Sequence, residues 1–326
     1  MTVPPQERGV ALLTVLLLVA VIGVIAAASL ERLKLQTHLS INMAAIDQAR
    51  HYAYAGERIA ATRIGDLSSL DRSITLPGEW LDQVKAFPID AGTATAKVSD
   101  GGNCFNLNSL VTQSTEGERV IRPVAVRQFE ALMTMLGIQP RTAGAIAQAA
   151  ADWIDSDTSP QAGGAEDETY ARAPIPYRAA NALMSDVPEL RDVAGVDPAI
   201  YERIRPWVCA LPVAELSPLN INTLRHDQAP LVAMLLPEKL SLAFAQRMID
   251  ERPPTGYSAV ENFWSKPALR GISPALEVMA QTQLKTRWFA LELHIELGGT
   301  EFSEMALIDG ANNPAKIVRR SWGDDA

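Results

Sequence analysis

The sequence predicts an α+β fold in which a long N-terminal helix packs on an antiparallel sheet and a large helical domain is inserted within that sheet. Three observations lead to this prediction. No proline lies between Pro5 and Pro77, which permits one continuous helix. Alternating apolar and polar residues at 92–99 and 289–297 indicate strands. Between them, residues 117–286 have the pattern of helices separated by Pro and Gly.

The first half of the N-terminal helix is apolar on all sides. Residues 10–30 carry no charge, and Thr14 and Ser29 are their only polar side chains. As a helix, these twenty-one residues span about 31 Å, which matches a hydrocarbon core of about 30 Å. So long an uncharged segment is rare in the core of a soluble domain. The segment is therefore interpreted as a signal peptide or as a retained membrane helix.

The two interpretations differ in where the chain is cut. A signal peptide would end at the small residues 26–28 and leave Ser29 as the new N-terminus. The region before the apolar segment would carry little net positive charge, because Arg8 is offset by Glu7. The apolar segment would also be longer than a signal peptide requires. The other interpretation removes only the residues that precede the apolar segment.

The second half of this helix has one apolar stripe and one polar face. Apolar residues recur there mostly at intervals of three and four, at Leu35, Leu39, Met43, Ile46, Ala49, Ala53, Ala60 and Ile64. This pattern is expected of a helix that leaves a membrane and docks on a sheet. The alternative, a coiled-coil seam, lacks a sustained heptad of large residues.

The remaining strand signals lie near the C-terminus. Residues 289–297 alternate, Gly298 and Gly299 form a turn, and residues 301–308 read as the returning strand of a hairpin. A last strand is predicted at 316–322. Because strands stand on both sides of the helical block, we expect an insertion rather than two tandem domains.

Composition narrows the class of function. The length of 326 residues favours two structural units, and 48% hydrophobic residues exclude disorder throughout. A net charge of −9 argues against a general polyanion binder. The sequence shows no Ser/His/Asp or Cys/His grouping and no Gly-rich phosphate loop with a Lys. We therefore predict a non-enzyme with no catalytic residues.

Cys104 and Cys209 are the only cysteines, and the chain has four His. These two cysteines alone cannot supply a four-ligand zinc site. In an oxidising compartment the pair can form one disulfide, whereas in the cytosol two buried thiols are expected.

An acidic segment stands out within the helical block. Residues 142–171 contain six carboxylates and no Lys or Arg. Either this loop is solvated, or a cation neutralises it. The Asp155/Asp157 pair leaves a helix, and the glycines Gly163 and Gly164 permit a bend and free carbonyl oxygens. Oxygen ligands without His or Cys favour calcium over zinc, although the spacing differs from that of an EF-hand.

A second feature of the block raises a rival function. The segment from Leu219 to Tyr257 resembles helix-hairpin-helix folds, some of which bind the DNA backbone. Residues 217–287 hold eight Lys or Arg against six Asp or Glu, a net charge of only +2. A packed helical domain without nucleic acid is the favoured interpretation.

The N-terminus resembles that of type IV pilin-like proteins. Arg8-Gly9 followed by the apolar run from Val10 looks like a prepilin leader junction, and the start is most similar to that of the K-type minor pseudopilins of type II secretion. The resemblance implies cleavage after Gly9 and methylation of Val10. Thr14 stands at the fifth mature position, where most pilin-like proteins have Glu.

The same resemblance implies a domain organisation and a site. The expected parts are a leader (1–9), a transmembrane helix (10–30), a pilin-like domain in two pieces (31–116 and 287–326) and an inserted helical domain of helix-hairpin-helix or SAM-like type (117–286). The family's calcium site maps onto a structural calcium bound by Asp152, Asp155, Asp157, Glu166 and Asp167, with Glu168 outside.

The resemblance also implies a function and partners. A single-pass inner-membrane protein with a periplasmic domain is expected, at the tip of the pseudopilus, where it initiates assembly. Expected partners are the I- and J-type minor pseudopilins, with the H type and the major pseudopilin as further candidates, and the prepilin peptidase. In the periplasm, Cys104 and Cys209 are expected to pair and to tie the sheet to the insertion. The alternatives are a membrane-anchored nucleic-acid-binding protein and a secreted calcium-binding protein.

Overall fold

The computed structural model describes residues 5–69 and 81–323. Its helices are α1 (Pro5–Ser69), α2 (Pro123–Met135), α3 (Pro140–Ile154), α4 (Asp167–Tyr170), α5 (Pro198–Ile204), α6 (Ala229–Ala233), α7 (Leu242–Asp250), α8 (Val260–Trp264) and α9 (Leu276–Met279). Its strands are β1 (Val84–Ile89), β2 (Gly92–Asp100), β3 (Phe105–Asn106), β4 (Val111–Gln113), β5 (Arg119–Ile121), β6 (Val208–Cys209), β7 (Leu219–Asn220), β8 (Thr282–Gln283), β9 (Trp288–Leu297), β10 (Thr300–Asp309) and β11 (Lys316–Trp322).

Helix α1 is one unbroken helix of 65 residues, as the lack of proline predicts. Its most apolar stretch of 18 residues has a mean hydropathy of 3.1, and none of it is buried by the rest of the chain. By length and composition, this helix is able to cross a membrane.

The distal half of α1 docks on the sheet through small residues. Ala49, Ala53 and Ile64 are fully buried, and Ala60 and Ala61 are nearly so. At Gly56, a Cβ atom would lie 3.1 Å from a methyl carbon of Leu293, so the helix axis lies close to the strand. The predicted stripe continues further towards the N-terminus than the docking does, because Leu35, Leu39 and Met43 are exposed.

Five antiparallel strands form the sheet, in the order β1-β2-β9-β10-β11. The predicted strands at 92–99, 289–297, 301–308 and 316–322 are all present within it. Strand β1 was not predicted, because Lys85 and Pro88 interrupt its apolar pattern. Its place at the edge of the sheet explains why a proline, which lacks an N–H donor, is accommodated.

Residues 101–287 lie between two neighbouring strands of this sheet, β2 and β9. They have their own hydrophobic core, which begins at Phe105 and Leu107. The expected start of the insertion at residue 117 is therefore too late. The sequence pattern around residue 105 is that of a strand, but this short strand pairs with β6 inside the insertion. The predicted α+β fold with a domain inserted in the sheet is confirmed.

A half-buried carboxylate joins the insertion to the sheet. The Asp100 carboxylate ends β2 and accepts hydrogen bonds from the Thr223 hydroxyl (2.6 Å), the Thr286 hydroxyl and the Gly102 N–H (2.9 Å). Burial raises the pKa of Asp100, and these hydrogen bonds oppose the rise. The Asp100 carboxylate thus joins the point where the chain leaves the sheet to the point where it re-enters, next to Thr286.

Cys104 and Cys209 form a disulfide, with their Cα atoms 5.8 Å apart. Both cysteines lie within the insertion, so the disulfide does not tie the insertion to the sheet, contrary to expectation. It closes the insertion at its base instead. Cys209 packs there with Leu211 against Trp288 and Leu307 of the sheet.

Two buried glutamates meet beneath α1. The Arg320 guanidinium donates two hydrogen bonds to the Glu57 carboxylate, one of them 2.8 Å long, and Trp322 donates to Glu304 at 2.8 Å. Glu304 is 1% exposed. Burial, together with the nearby Glu57, raises the pKa of Glu304 to about 7. Glu304 is thus protonated over part of the neutral range.

We expect Glu304→Gln to stabilise the protein at pH 8 by about 2 kcal/mol and to have little effect below pH 4.5. The folded-state pKa lies above the unfolded value, so the cost of ionising Glu304 increases as pH rises from about 4.5 to about 7. Thermal unfolding at both pH values measures this difference. The exposed Glu301 of the same strand gives the control Glu301→Gln, and an equal effect of both variants at pH 8 would contradict the prediction.

Candidate metal centre

The acidic loop runs from the end of α3 to the start of α4, and aromatic rings join its two ends. Trp153 meets Tyr170 edge to face, with ring centroids 5.2 Å apart, and Tyr170 lies 5.1 Å from Tyr177. Asp155 caps α3, where its N–H donates to the Ala151 carbonyl at 3.0 Å. The loop is therefore held at both ends by aromatic packing.

Three carboxylates converge in this loop. Asp155, Asp157 and Glu166 each place an oxygen within 4.8 Å of the others. Asp155 is 1% exposed and Glu166 is 4% exposed. Among the described residues, none of the four oxygens of these two buried carboxylates accepts a hydrogen bond of normal geometry. The backbone N–H groups of Asp157 and Asp167 are close enough to oppose the rise in the pKa of Asp155 and Glu166 respectively, but burial outweighs them. Buried carboxylates so weakly hydrogen-bonded are costly, so this arrangement favours a bound cation.

The electrostatics of the cluster lead to the same conclusion. Burial, then the negative charges of Asp157, Asp152 and Glu166, raises the pKa of Asp155 to about 7. Burial and neighbouring carboxylates likewise raise the pKa of Glu166 to about 7. Within the described part of the chain, no Lys or Arg forms an ion pair with either group. The cluster therefore carries negative charge that its surroundings do not compensate.

Asp152, one of the predicted ligands, shapes the loop instead. Its buried carboxylate accepts hydrogen bonds from the N–H groups of Gln161 (3.0 Å) and Ala165 (2.9 Å). A Cβ atom on Gly164 would lie 2.0 Å from an oxygen of Asp152, so only glycine fits there. Burial raises the pKa of Asp152 to about 6. Asp152 thus uses its oxygens on the backbone rather than in the cluster.

Asp167, another predicted ligand, also lies outside the cluster. Its carboxylate accepts from the Ala179 N–H at 3.0 Å and lies 3.8 Å from the Arg178 guanidinium. Glu168 pairs with Arg172 at the surface, consistent with its expected place outside the site. The structure therefore brings together three of the five predicted ligands.

Sequence reasoning missed two residues beneath the loop, Arg119 and Asn181. Arg119 donates to the carbonyl oxygens of Ile154 and Asn181, and the Asn181 side chain donates to the Asp157 carbonyl at 3.3 Å. Both act on the main chain of the loop from distant parts of the sequence. No local motif marks such contacts, so the sequence offered no signal for them.

The donor set fits a hard divalent cation. All three converging side chains are carboxylates, and the cluster contains neither His nor Cys. Such oxygen ligands suit calcium, which takes six to eight of them in flexible geometry, better than zinc. The three side chains are fewer than calcium requires, so carbonyl oxygens or waters would have to complete the shell.

The structure describes only part of the predicted N-terminal processing site. Gly9 and Val10 lie within α1, while residues 1–4 of the predicted leader are outside the described residues. The Thr14 hydroxyl donates to the Ala11 carbonyl at 2.9 Å and is thereby satisfied within its own helix.

Basic side chains of the segment resembling a helix-hairpin-helix are engaged within the chain. Arg252 donates to the carbonyl oxygens of Ile221 (3.2 Å) and Leu224 (2.7 Å), and Lys266, which follows the segment, pairs with Glu251 at 3.4 Å. Arg225 pairs with its neighbour Asp227. These contacts argue against an open phosphate-binding surface.

Comparisons with known proteins cover nearly the whole chain. Residues 103–213 and 219–287 each match a sequence model of the family described as Type II secretion system (T2SS), protein K. A protein of that name from Pectobacterium carotovorum is 34% identical over 328 aligned positions, which cover 98% of this chain and 97% of the relative. The chain belongs to the type II secretion system protein K family.

Other relatives of the protein K family agree in sequence and in fold. Type II secretion system protein K of Pseudomonas aeruginosa is 35% identical, over 97% of this chain and 93% of the relative. Among solved structures, a chain in the crystal structure of the GspK-GspI-GspJ complex from enterotoxigenic Escherichia coli matches with a TM-score of 0.75 at 27% identity. The match covers 85% of this chain and 96% of the other.

Proposed function

We propose that this protein is a minor pseudopilin that forms the tip of a periplasmic pseudopilus together with minor pseudopilins of the I and J types. The observation that carries this proposal is the structural match to a chain of the GspK-GspI-GspJ complex, which extends over 96% of that chain. The tip complex initiates pseudopilus assembly for protein export. Pseudopilins of the H type and the major pseudopilin are further candidate neighbours.

The membrane anchor of this pseudopilin is α1. Prepilin peptidase cuts between Gly9 and Val10, and residues 10–30 remain in the inner membrane until the subunit joins the filament. The chain beyond them lies in the periplasm, an oxidising compartment in which the Cys104–Cys209 disulfide persists. The charge of −9 and the engaged basic side chains support a function without nucleic acid.

Two features support a place at the filament tip. In pilin-like proteins the usual Glu at the fifth mature position is thought to pair with the N-terminal amine of a neighbour, and Thr14 offers no carboxylate for such a pair. Its hydroxyl already donates to Ala11. The insertion at residues 101–287 is larger than the sheet domain that carries it, so it would obstruct subunits stacked above it.

The acidic cluster supports a structural calcium site. Asp155, Asp157 and Glu166 would hold the ion, while Asp152 and Asp167 brace the loop through backbone N–H groups. A bound calcium supplies positive charge to buried carboxylates and joins the two ends of the loop. The acidic side chains are arranged to stabilise the fold, which supports a role without catalysis.

Co-expression with I- and J-type pseudopilins from a relative's secretion system tests this function. We expect the full chain, purified in detergent, to bring both partners with it in stable proportion. The major pseudopilin expressed alone with this chain serves as the control for general helix association. Copurification with neither I nor J would contradict the proposal.

The mass of the mature N-terminus tests the anchor separately. We expect the native protein to begin at methylated Val10. A start at Ser29 would indicate a secreted calcium-binding protein, and a start at Met1 would indicate that no prepilin processing occurs.

A further inference from the structure

Arg119 lies directly beneath the segment that carries Asp155 and Asp157. It belongs to β5, which forms a small hairpin with β4. Arg119 and Ser156 are joined by two hydrogen bonds, one in each direction. The Arg119 N–H donates to the Ser156 hydroxyl at 3.0 Å, and the Ser156 N–H donates to the Arg119 carbonyl at 3.0 Å.

The side chain of Arg119 extends the same contact to the other side of Asp155. Its Nε donates to the carbonyl oxygen of Ile154, the last residue of α3, at 3.0 Å. Carbonyl groups at a helix C-terminus lack partners within the helix, so this bond also caps α3. The residues before and after Asp155 are therefore both held by one residue.

A second hydrogen bond of the guanidinium connects Arg119 to Asp157 through Asn181. Nη2 of Arg119 donates to the Asn181 carbonyl. Asn181 in turn donates from its N–H to the Trp153 carbonyl at 3.0 Å and from its amide group to the Asp157 carbonyl at 3.3 Å. Arg119 and Asn181 together hold the main chain at Trp153, Ile154, Ser156 and Asp157.

The charge of Arg119 is not used to neutralise the cluster. The guanidinium donates to the carbonyl oxygens of Ile154 and Asn181, and in the described part of the chain it forms no ion pair with Asp155 or Glu166. The guanidinium thus fixes the backbone while the carboxylates stay available. A planar fork whose donors lie on separate nitrogens suits this role, whereas the donors of a lysine all lie on one nitrogen at the end of a flexible chain.

We propose that Arg119 is a positioning residue for the cation site, setting the separation and direction of the Asp155 and Asp157 carboxylates. The proposal rests on the calcium site proposed above. Asp155 and Asp157 follow a helix end on irregular backbone, where their orientation depends on what holds that backbone. Loss of residues that orient metal ligands typically lowers metal affinity by about 10- to 100-fold.

Calcium titration calorimetry on the full chain in detergent tests this role, at a temperature where circular dichroism shows every variant to be folded. We expect Arg119→Gln and Arg119→Lys each to weaken calcium binding by about tenfold or more. Arg127→Gln, which removes an equal charge from an exposed position on α2, should bind as the unmodified protein does. Asn181→Gly suits the positive φ of 43° at this position and should weaken binding less than Arg119→Gln.

The outcomes separate positioning from charge and from general stability. If Arg119→Lys binds calcium with unchanged affinity, charge alone suffices and the proposal is overturned. If both Arg119 variants only lower the melting temperature in EGTA and leave calcium affinity unchanged, the role is structural and the proposal is again overturned. An unmodified protein that binds no calcium would remove the calcium site itself, a distinct result.

Discussion

Replacing Cys104 and Cys209 together with alanine should lower the free energy of unfolding by about 4–5 kcal/mol. The disulfide joins residues separated by 105 positions in the sequence. In the chain-entropy description, a closed loop of this length removes much of the freedom of the unfolded chain. The loop comprises more than half of the insertion, so we expect the insertion to lose most of its stability.

Urea unfolding of the full chain in detergent measures this effect. Reduction of the unmodified protein should produce a loss of similar size, because it also opens the loop. The double variant supplies the control, since a reducing agent should not change its unfolding curve. An unfolding midpoint of the double variant equal to that of the oxidised protein would show that the disulfide does not stabilise the fold.

The second large effect concerns calcium, which should reverse the sign of the pH dependence. Without calcium, Asp155 and Glu166 have pKa values of about 7, well above their ordinary values near 4. The folded state then holds protons more tightly than the unfolded state. The free energy of unfolding therefore falls as pH rises from about 4 to about 7, and these two groups do not change it further above pH 7. With calcium bound, protons compete with the ion, and stability should instead rise with pH.

Asp155→Asn should abolish this calcium effect. At a calcium concentration of about 1,000 times the dissociation constant, the unmodified protein gains about 4 kcal/mol, and the variant should gain little. In EGTA at pH 8 the variant should be the more stable of the two, because it lacks one buried charge. Thermal unfolding with calcium and with EGTA gives both comparisons.

Asp167→Asn is the matched control for this experiment. Asp167 lies in the same acidic segment but accepts from the Ala179 N–H, which an asparagine oxygen can also do. Its calcium response should match that of the unmodified protein. Loss of the response in Asp167→Asn, or no response in the unmodified protein, would contradict the assignment of the ligands.

The elements predicted best from the sequence are those whose apolar pattern repeats over many residues. The apolar helix and the alternating strands β9 and β10 repeat over many residues, so packing against distant parts of the chain does not alter them. Strand β1 was missed because Pro88 and Lys85 are tolerated only at a sheet edge, and the order of strands is not visible in a local pattern.

The sequence predicts where the candidate site lies but not the full set of residues that converge there. The density of carboxylates marked the loop, but which of them converge depends on which backbone N–H groups they meet. The sequence predicts Asp152 and Asp167 among the ligands, whereas in the structure both accept hydrogen bonds from backbone N–H groups 9–13 positions further along the chain. Arg119 and Asn181 escaped notice because they act through carbonyl oxygens.

The proposed terminal position of this subunit is tested most directly by the location of the protein along isolated filaments. Filaments sheared from cells can be labelled with gold-conjugated antibodies against the inserted domain and viewed by electron microscopy. We expect gold particles at one end of each labelled filament and none along its length. Gold particles at regular intervals along the shaft would contradict the terminal position.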